Sequence, residues 1–235
     1  MSVTENTLHI QDNAGAFKVT ILEARQPTCI VFFAAGRGGS PLRHLSLLRA
    51  IAVRGFTIIA PHFDMLASSV PTIEDLNTRI RRLELASKQY ARFDEPVIGI
   101  GHSLGCVLLL ALAGGKAKTL SGCQVVSGPK WQFKGLALLA PPVDFFRHPY
   151  ALQSVDARIH LRVGGKDTVT PPTQALTLME ILPKEMEIEV KLDEDAGHFS
   201  YMDELPPHIK DVQPDKQKFL SALAIDIAQF ITSSC

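Results

Sequence analysis

Apolar and polar positions along this chain fall into short runs that switch between the strand period and the helix period. Residues 8–11 and 17–22 alternate as half-buried strands, and Asp12-Asn13-Ala14-Gly15 between them predicts an antiparallel turn. Residues 29–35 are continuously apolar, which predicts a strand buried on both faces. Residues 41–54 predict a helix, with Ser40 as its cap and Pro41 in its first turn. A strand follows at 56–60. The next helix, 72–90, opens on Thr72 and Asp75 spaced as an acidic capping box. Residues 96–100 predict a strand and 106–113 a helix, with a glycine-rich turn between them. Residues 118–134 have no clear period, and Ser127-Gly128-Pro129-Lys130 marks a turn inside them. Strands at 135–140 and 159–163, a helix at 171–182, a strand at 187–192 and an amphipathic helix at 215–231 complete the chain.

Strands that alternate with helices and are apolar on both faces predict a three-layer α/β/α sandwich. Its sheet would be mostly parallel and twisted, with about eight strands. The 235 residues carry no internal repeat and no low-complexity linker, so a single domain spanning residues 1–235 is expected. Ligands of such sheets bind outside the carboxyl ends of the strands, so the residues just after each strand carry the candidate chemistry.

The most specific strand end is Gly101-His102-Ser103-Leu104-Gly105, between Pro96-Val97-Ile98-Gly99-Ile100 and an apolar helix. Five letters of this kind arise by chance in about one chain in fifteen of this length, so the context decides. A serine at the apex of a strand-turn-helix is forced outward, and the N–H groups of the new helix face the same space. A serine hydroxyl is a weak nucleophile until a base takes its proton and an acid orients that base. The loop Gly164-Gly165-Lys166-Asp167-Thr168-Val169-Thr170-Pro171 supplies Asp167, and Asp193-Glu194-Asp195-Ala196-Gly197-His198-Phe199-Ser200 supplies His198. The order Ser, Asp, His is the one expected when the serine sits on such an elbow. Asp144, in Pro141-Pro142-Val143-Asp144-Phe145-Phe146, is the competing acid. Gly36-Arg37-Gly38-Gly39-Ser40 also links a strand to a helix. It lacks the third glycine of a dinucleotide fingerprint and is not a Walker loop, which argues against a phosphate cradle.

These motifs resemble the α/β-hydrolase superfamily, near its dienelactone-hydrolase-like and small serine esterase branches. The resemblance runs from residue 8 to residue 231. It rests on Gly101-His102-Ser103-Leu104-Gly105, on Gly165-Lys166-Asp167-Thr168-Val169-Thr170-Pro171 and on Ala196-Gly197-His198-Phe199. It implies that Ser103 attacks the acyl carbon, that His198 is base and then acid, and that Asp167 orients the imidazole. It also implies oxyanion donors in the N–H of Leu104 and in the loop after the first parallel strand, where the Arg37 N–H is the choice. The chain has Ala35-Gly36 where the family often has His-Gly, and serine where dienelactone hydrolases proper have cysteine, so their substrate is not carried over. An elbow serine also argues against dehalogenase and epoxide hydrolase chemistry, which use aspartate. Lids in this superfamily insert after the strand that ends here near Ala140. Only residues 141–157 separate it from the next strand, which implies little or no lid and a shallow site for a small, soluble acyl substrate. Residues 202–214, with Pro206-Pro207 and Pro214, follow His198 and could cover one edge. The implied activity is cleavage of a carboxylic ester through an acyl-enzyme. Peptidase, thioesterase, perhydrolase and acyltransferase chemistry on the same triad stay open, as does a non-catalytic binding protein.

His62, Phe145, Phe146, Phe199 and Tyr201 are candidates to wall an acyl pocket, or else pack the strand ends; His148 is a further rim candidate. The Arg37 side chain reads as a surface ion pair, with a substrate carboxylate or phosphate as its other possible partner. Arg79-Ile80-Arg81-Arg82-Leu83-Glu84 reads as a solvated helix face, Trp131 as a hairpin residue covering the sheet, and Cys106 as core. Lys+Arg and Asp+Glu are 24 each, with no basic stripe or acidic tail, which argues against nucleic acid or an anionic membrane as partner. The four cysteines lack metal or redox spacing. Cys29 and Cys106 lie in apolar runs and read as buried thiols, which points to a reducing, cytoplasmic setting. The first residues do not read as a signal peptide, and the longest apolar run, 106–113, is too short to span a bilayer. No metal or organic cofactor is implied, and the sequence sets no oligomeric state.

Overall fold

The unbroken apolar run near residue 30 becomes β3 (Cys29–Ala34), buried at all six positions. Its side chains alternate between two cores: Ile30, Phe32 and Ala34 face one side, Cys29, Val31 and Phe33 the other. That two-sided burial is why the run shows no polar alternation. The computed structural model describes residues 3–90 and 95–235. In chain order its elements are β1 (Val3–Ile10), β2 (Phe17–Ala24), β3, α1 (Leu45–Ala52), β4 (Phe56–Pro61), α2 (Ile73–Tyr90), β5 (Val97–His102), α3 (Leu104–Leu112), β6 (Phe133–Leu139), β7 (Arg158–Gly164), α4 (Pro172–Ile181), β8 (Ile188–Asp193) and α5 (Lys216–Ser234). The sheet has eight strands in the order β1-β2-β4-β3-β5-β6-β7-β8. β1 pairs antiparallel with β2, and β2 antiparallel with β4; every other pairing is parallel.

α2, α3 and α4 cover one face of the sheet, and α1 and α5 the other. This is the expected three-layer sandwich. The chain leaves β3 for β4 on one side and then crosses to β5 on the other, so the strand order reverses between β3 and β5. The crevice at their carboxyl ends is where such sheets place their ligands. Between β6 and β7 the only helical piece among the described residues is the 3₁₀ turn Asp144–Phe146, so no lid stands there.

Local chemistry sets the starts of α2 and α5, where Asp215 accepts the Lys218 N–H. The Thr72 hydroxyl accepts the Asp75 N–H at 3.1 Å while the Asp75 carboxylate accepts the Thr72 N–H at 2.8 Å, closing the predicted capping box. The helix expected over 41–54 is divided: Pro41–His44 is a 3₁₀ turn, α1 follows, and Ser40 makes no side-chain cap. All nine positions of α3 are buried, because residues beyond it close over its outer side. The Trp131 N–H donates to Leu112 O at 2.8 Å, and the Val125 N–H to Ala117 O at 2.9 Å. Residues 118–132 are thus a cover of irregular chain, with a single bridge between Lys118 and Gln124, and 133–134 already belong to β6. Trp131 is not in a hairpin strand, but its ring meets Phe32 edge-on at 4.8 Å.

Three expectations are corrected. Arg79 and Arg82 are buried rather than solvated, because they fall on the same stripe of α2 as Leu76, Ile80 and Leu83. Polar residues also enter the buried strand β7. His160 lies between Glu189 (3.0 Å) and Asp226 (2.7 Å), and Arg162 donates to Asp193 at 3.0 Å, so these buried polar groups are hydrogen-bonded in place. Finally, Cys29 is not a free thiol. It forms a disulfide with Cys235, Cα to Cα 6.4 Å, tying the end of α5 to the start of β3. This removes the thiol argument for a reducing setting, and leaves Cys106 buried and Cys123 exposed as free cysteines. Thiol titration of the denatured, unreduced protein should therefore find two reactive groups, rising to four after reduction. Four without reduction would refute the bridge.

Candidate active site

β5 and α3 meet at Ser103, whose backbone is held at φ 53 and ψ −124. A non-glycine residue there stores about 1–3 kcal/mol of strain, which the surroundings must hold. The Ser103 N–H donates to Leu139 O of β6 at 2.9 Å, and the Ser103 carbonyl accepts the Cys106 N–H at 2.9 Å. A Cβ at Gly105 would lie 1.9 Å from Ala34 O, so only glycine lets α3 start this close to the end of β3. Next along from β3, a Cβ at Gly36 would lie 3.1 Å from the Ser103 Cβ. The loop after β3 therefore runs directly beside the serine.

The Ser103 hydroxyl donates to His198 Nε2 at 2.9 Å, and His198 Nδ1–H donates to Asp167 Oδ2 at 2.9 Å. The carboxylate beside Nδ1 selects this tautomer. His198 is 6% exposed and Asp167 4%. Asp167 is held from several sides: Oδ1 accepts the N–H groups of Val169 (2.8 Å) and Thr170 (2.7 Å), and Oδ2 accepts the Thr170 hydroxyl (2.8 Å). Burial pushes the Asp167 carboxyl up, but the hydrogen bonds and charge of His198 and the bonds from Thr170 outweigh it, so it lies below the ordinary aspartate value. Asp144, the competing acid, pairs with Arg147 at 2.5 Å instead.

The turn carrying His198 is held by its neighbours. The Ser200 hydroxyl accepts the Gly197 N–H at 2.9 Å and donates to Asp211 at 2.5 Å, and Lys216 bonds both Asp211 and the Phe199 carbonyl. Segment 202–214 folds back the same way: the Asp203 N–H donates to Arg43 O at 2.7 Å and its carboxylate accepts the Ser46 N–H at 2.6 Å. From beneath, His102 Nε2–H donates to the His198 carbonyl at 2.9 Å. The rings of His44, His102 and His198 follow one another at 5.0 and 5.1 Å. Burial, with the charges of Arg43 and Lys216, brings His44 down to about 3, and burial with its two histidine neighbours brings His102 well below the usual range. Both are neutral at ordinary pH.

Leu104 is the first residue of α3, so the helix leaves its N–H without an internal acceptor. The Arg37 guanidinium forms no ion pair among the described residues; it donates to the carbonyls of Ala67 (3.2 Å) and Ser68 (3.0 Å) and ties down the loop after β4. Of the pocket candidates, half-exposed Phe199 meets the His198 ring edge-on at 5.1 Å. Phe145 and Phe146 are buried in the core under α3. Tyr201 is fully buried and donates to Asp193 at 2.8 Å. His62 is bonded to the Thr20 hydroxyl at 2.8 Å. His148 reaches the Lys116 carbonyl, beyond the far end of α3 from Ser103. Cys106 is core, and burial pushes its thiol up. The sequence reading missed Thr170, His102 and Arg79. Arg79 had a signal, since it lies three residues past Leu76 on the apolar stripe. Thr170 and His102 sat inside the motifs with nothing to mark their partners. Among the described residues no group of three or more His, Cys, Asp or Glu could hold a metal ion, and no helix is long and apolar enough to cross a membrane.

No family model matches the chain, and no curated protein matches it. Solved structures do. One is a protein of unknown function from Agrobacterium tumefaciens, 13% identical over 97% of each chain with a TM-score of 0.70. Another is an α/β serine hydrolase homologue from Coxiella burnetii, 15% identical over 96% of this chain and 98% of that one, TM-score 0.66. A third is a member of the α/β serine hydrolases without a lid from Xanthomonas campestris, 15% identical over 98% and 96%, TM-score 0.62. The chain has the α/β-hydrolase fold.

The depressed Asp167 carboxyl makes a stability prediction. Its stabilising effect is fully present above the unfolded value of about 3.9 and is lost as pH falls through the lower folded value. The stability gap between wild type and Asp167→Asn should shrink as pH falls from about 5 toward about 2. Denaturant melts across that range check it; a gap that stays constant refutes it.

Proposed function

We propose that the chain, acting as one domain over residues 1–235, is a serine hydrolase. It would cleave carboxylic esters of small, soluble substrates through an acyl-enzyme. The observation that carries this reading is the unbroken hydrogen-bond chain from Ser103 through His198 to Asp167, with the serine on a strained strand-helix elbow. His198 Nε2 takes the Ser103 proton as Oγ bonds to the acyl carbon. The carbonyl π electrons move onto oxygen, and the N–H groups of Leu104 and Arg37 receive that oxyanion. The oxyanion collapses, the ester bond breaks, and His198 passes its proton to the departing alcohol. Water then repeats the cycle on the acyl-enzyme, releasing the acid and restoring Ser103. Asp167 supports the imidazolium at each stage, and Thr170 holds Asp167 in place. The short β6–β7 connection favours a small substrate, since nothing there offers a long acyl chain a covered groove.

A fluorophosphonate probe followed by peptide mapping should place its adduct on Ser103. Ser103→Ala and His198→Ala should lower kcat for short aryl esters about 10⁴- to 10⁶-fold with the fold intact. Asp167→Asn should lose about 10⁴-fold, and Asp144→Asn should stay near wild type. Ester hydrolysis that survives Ser103→Ala ends the proposal, and wild type that takes no adduct and turns over no ester points to a binding protein.

A further inference from the structure

A cation lies under the loop beside Ser103, and the reaction above gives it no role. Arg79 of α2 is 2% exposed. Its Nη1 donates to Gly36 O at 2.8 Å, and its Nη2 to Arg37 O at 2.9 Å and Asp64 O at 2.7 Å. The guanidinium also sits 5.1 Å from the centre of the Phe63 ring. Burial brings its pKa down to about 10 against the favourable charges of Asp75 and Asp64, so it stays charged at neutral pH. Among the described residues its hydrogen-bond acceptors are all backbone carbonyls. Burying a charge on such terms is unfavourable, and leucine or methionine would suit this stripe of α2 better for stability alone.

What the cation does follows from the planarity of the peptide. In a trans peptide unit the C=O and N–H point in opposite directions. Gly36 O is drawn toward α2 by Arg79, and the Gly39 N–H donates to the same oxygen at 3.0 Å. The N–H of that peptide unit belongs to Arg37, so it must point away from α2, and the same peptide unit begins at Gly36, which runs beside Ser103. A cation on a carbonyl oxygen also polarises the amide and strengthens its N–H as a donor.

We propose that Arg79 is the positioning residue of the oxyanion hole: it fixes peptide 36–37 with its carbonyl toward α2, and so aims and strengthens the Arg37 N–H. This rests on the serine hydrolase reading above. Arg82, one turn away, is the natural control. It is also buried, but it bonds Asp64 (3.0 Å) and lies near Asp12 (3.6 Å), and it makes no contact with residues 36–39 among the described hydrogen bonds.

Arg79→Met, Arg79→Lys and Arg82→Met separate aiming from stability. Arg79→Met should lower kcat for a short aryl ester about 10- to 100-fold, with KM within about twofold, and should weaken a phenylboronic acid inhibitor in parallel. Arg79→Lys keeps the charge but spans fewer carbonyls, and should fall between; it also serves if the methionine variant does not fold. Arg82→Met should lose comparable stability with kcat near wild type. The ¹⁵N–¹H resonance of the Arg37 amide, read without substrate, should move and its hydrogen exchange quicken in both Arg79 variants but not in Arg82→Met. An unmoved Arg37 amide overturns the inference whatever Ser103 does, and so does a kcat loss no larger than that of Arg82→Met. Failure of the hydrolase reading shows separately, as wild type that takes no fluorophosphonate on Ser103.

Discussion

The approach of the first turn of α3 to the end of β3 is the constraint on which the site depends. With a Cβ at Gly105 only 1.9 Å from Ala34 O, no other residue lets the two backbones meet. That contact places the loop leaving β3 against Ser103, so the candidate nucleophile and the second candidate N–H donor come from adjacent strands. The strained Ser103 backbone persists because β6 holds its N–H and α3 holds its carbonyl. Strain, close approach and exposure of the hydroxyl are one arrangement seen from three sides.

The other half of the site is built more loosely and then braced. Asp167 and His198 stand on loops after β7 and β8, where chain direction alone would leave them mobile. Thr170 and two backbone N–H groups hold the carboxylate, and Ser200, Asp211 and Lys216 hold the histidine turn. His102 connects the halves: it belongs to the elbow but bonds the His198 carbonyl. Part of the distance between Ser103 and His198 is thus set by the elbow itself. Tyr201 extends the brace outward, through Asp193 to Arg162 and the charged corner of β7, β8 and α5.

The sheet was legible because its strands are apolar on both faces and its helices mostly on one, and these periods survive in a single sequence. The three residues of the Ser103–His198–Asp167 chain were legible because strand ends are few and only some carry the right groups. What stayed hidden depends on distant partners. Cys29 read as a core thiol because its partner, Cys235, lies 206 residues away. Arg79 and Arg82 read as solvated because charge normally marks a wet face, and only the flanking Leu76, Ile80 and Leu83 hinted otherwise. Phe145, Phe146 and Tyr201 read equally as pocket or as packing, and their burial could not be seen in the sequence. Residues 118–132 had no period to read because their hydrogen bonds run to α3's far end and to one another rather than along a regular element.

The charges of the site are arranged asymmetrically, in a way that suits the proposed reaction. Negative charge would develop on the acyl oxygen beside peptide 36–37, and positive charge on His198. The buried cation, Arg79, lies on the oxyanion side, and the buried carboxylate, Asp167, on the imidazole side. Two imidazoles continue the ring series from His198, His102 and then His44, and burial holds both neutral. Charging either would set like charge against the imidazolium. Their burial thus does electrostatic work as well as packing, keeping two further positive charges away from the imidazole while α2 supplies one on the other side.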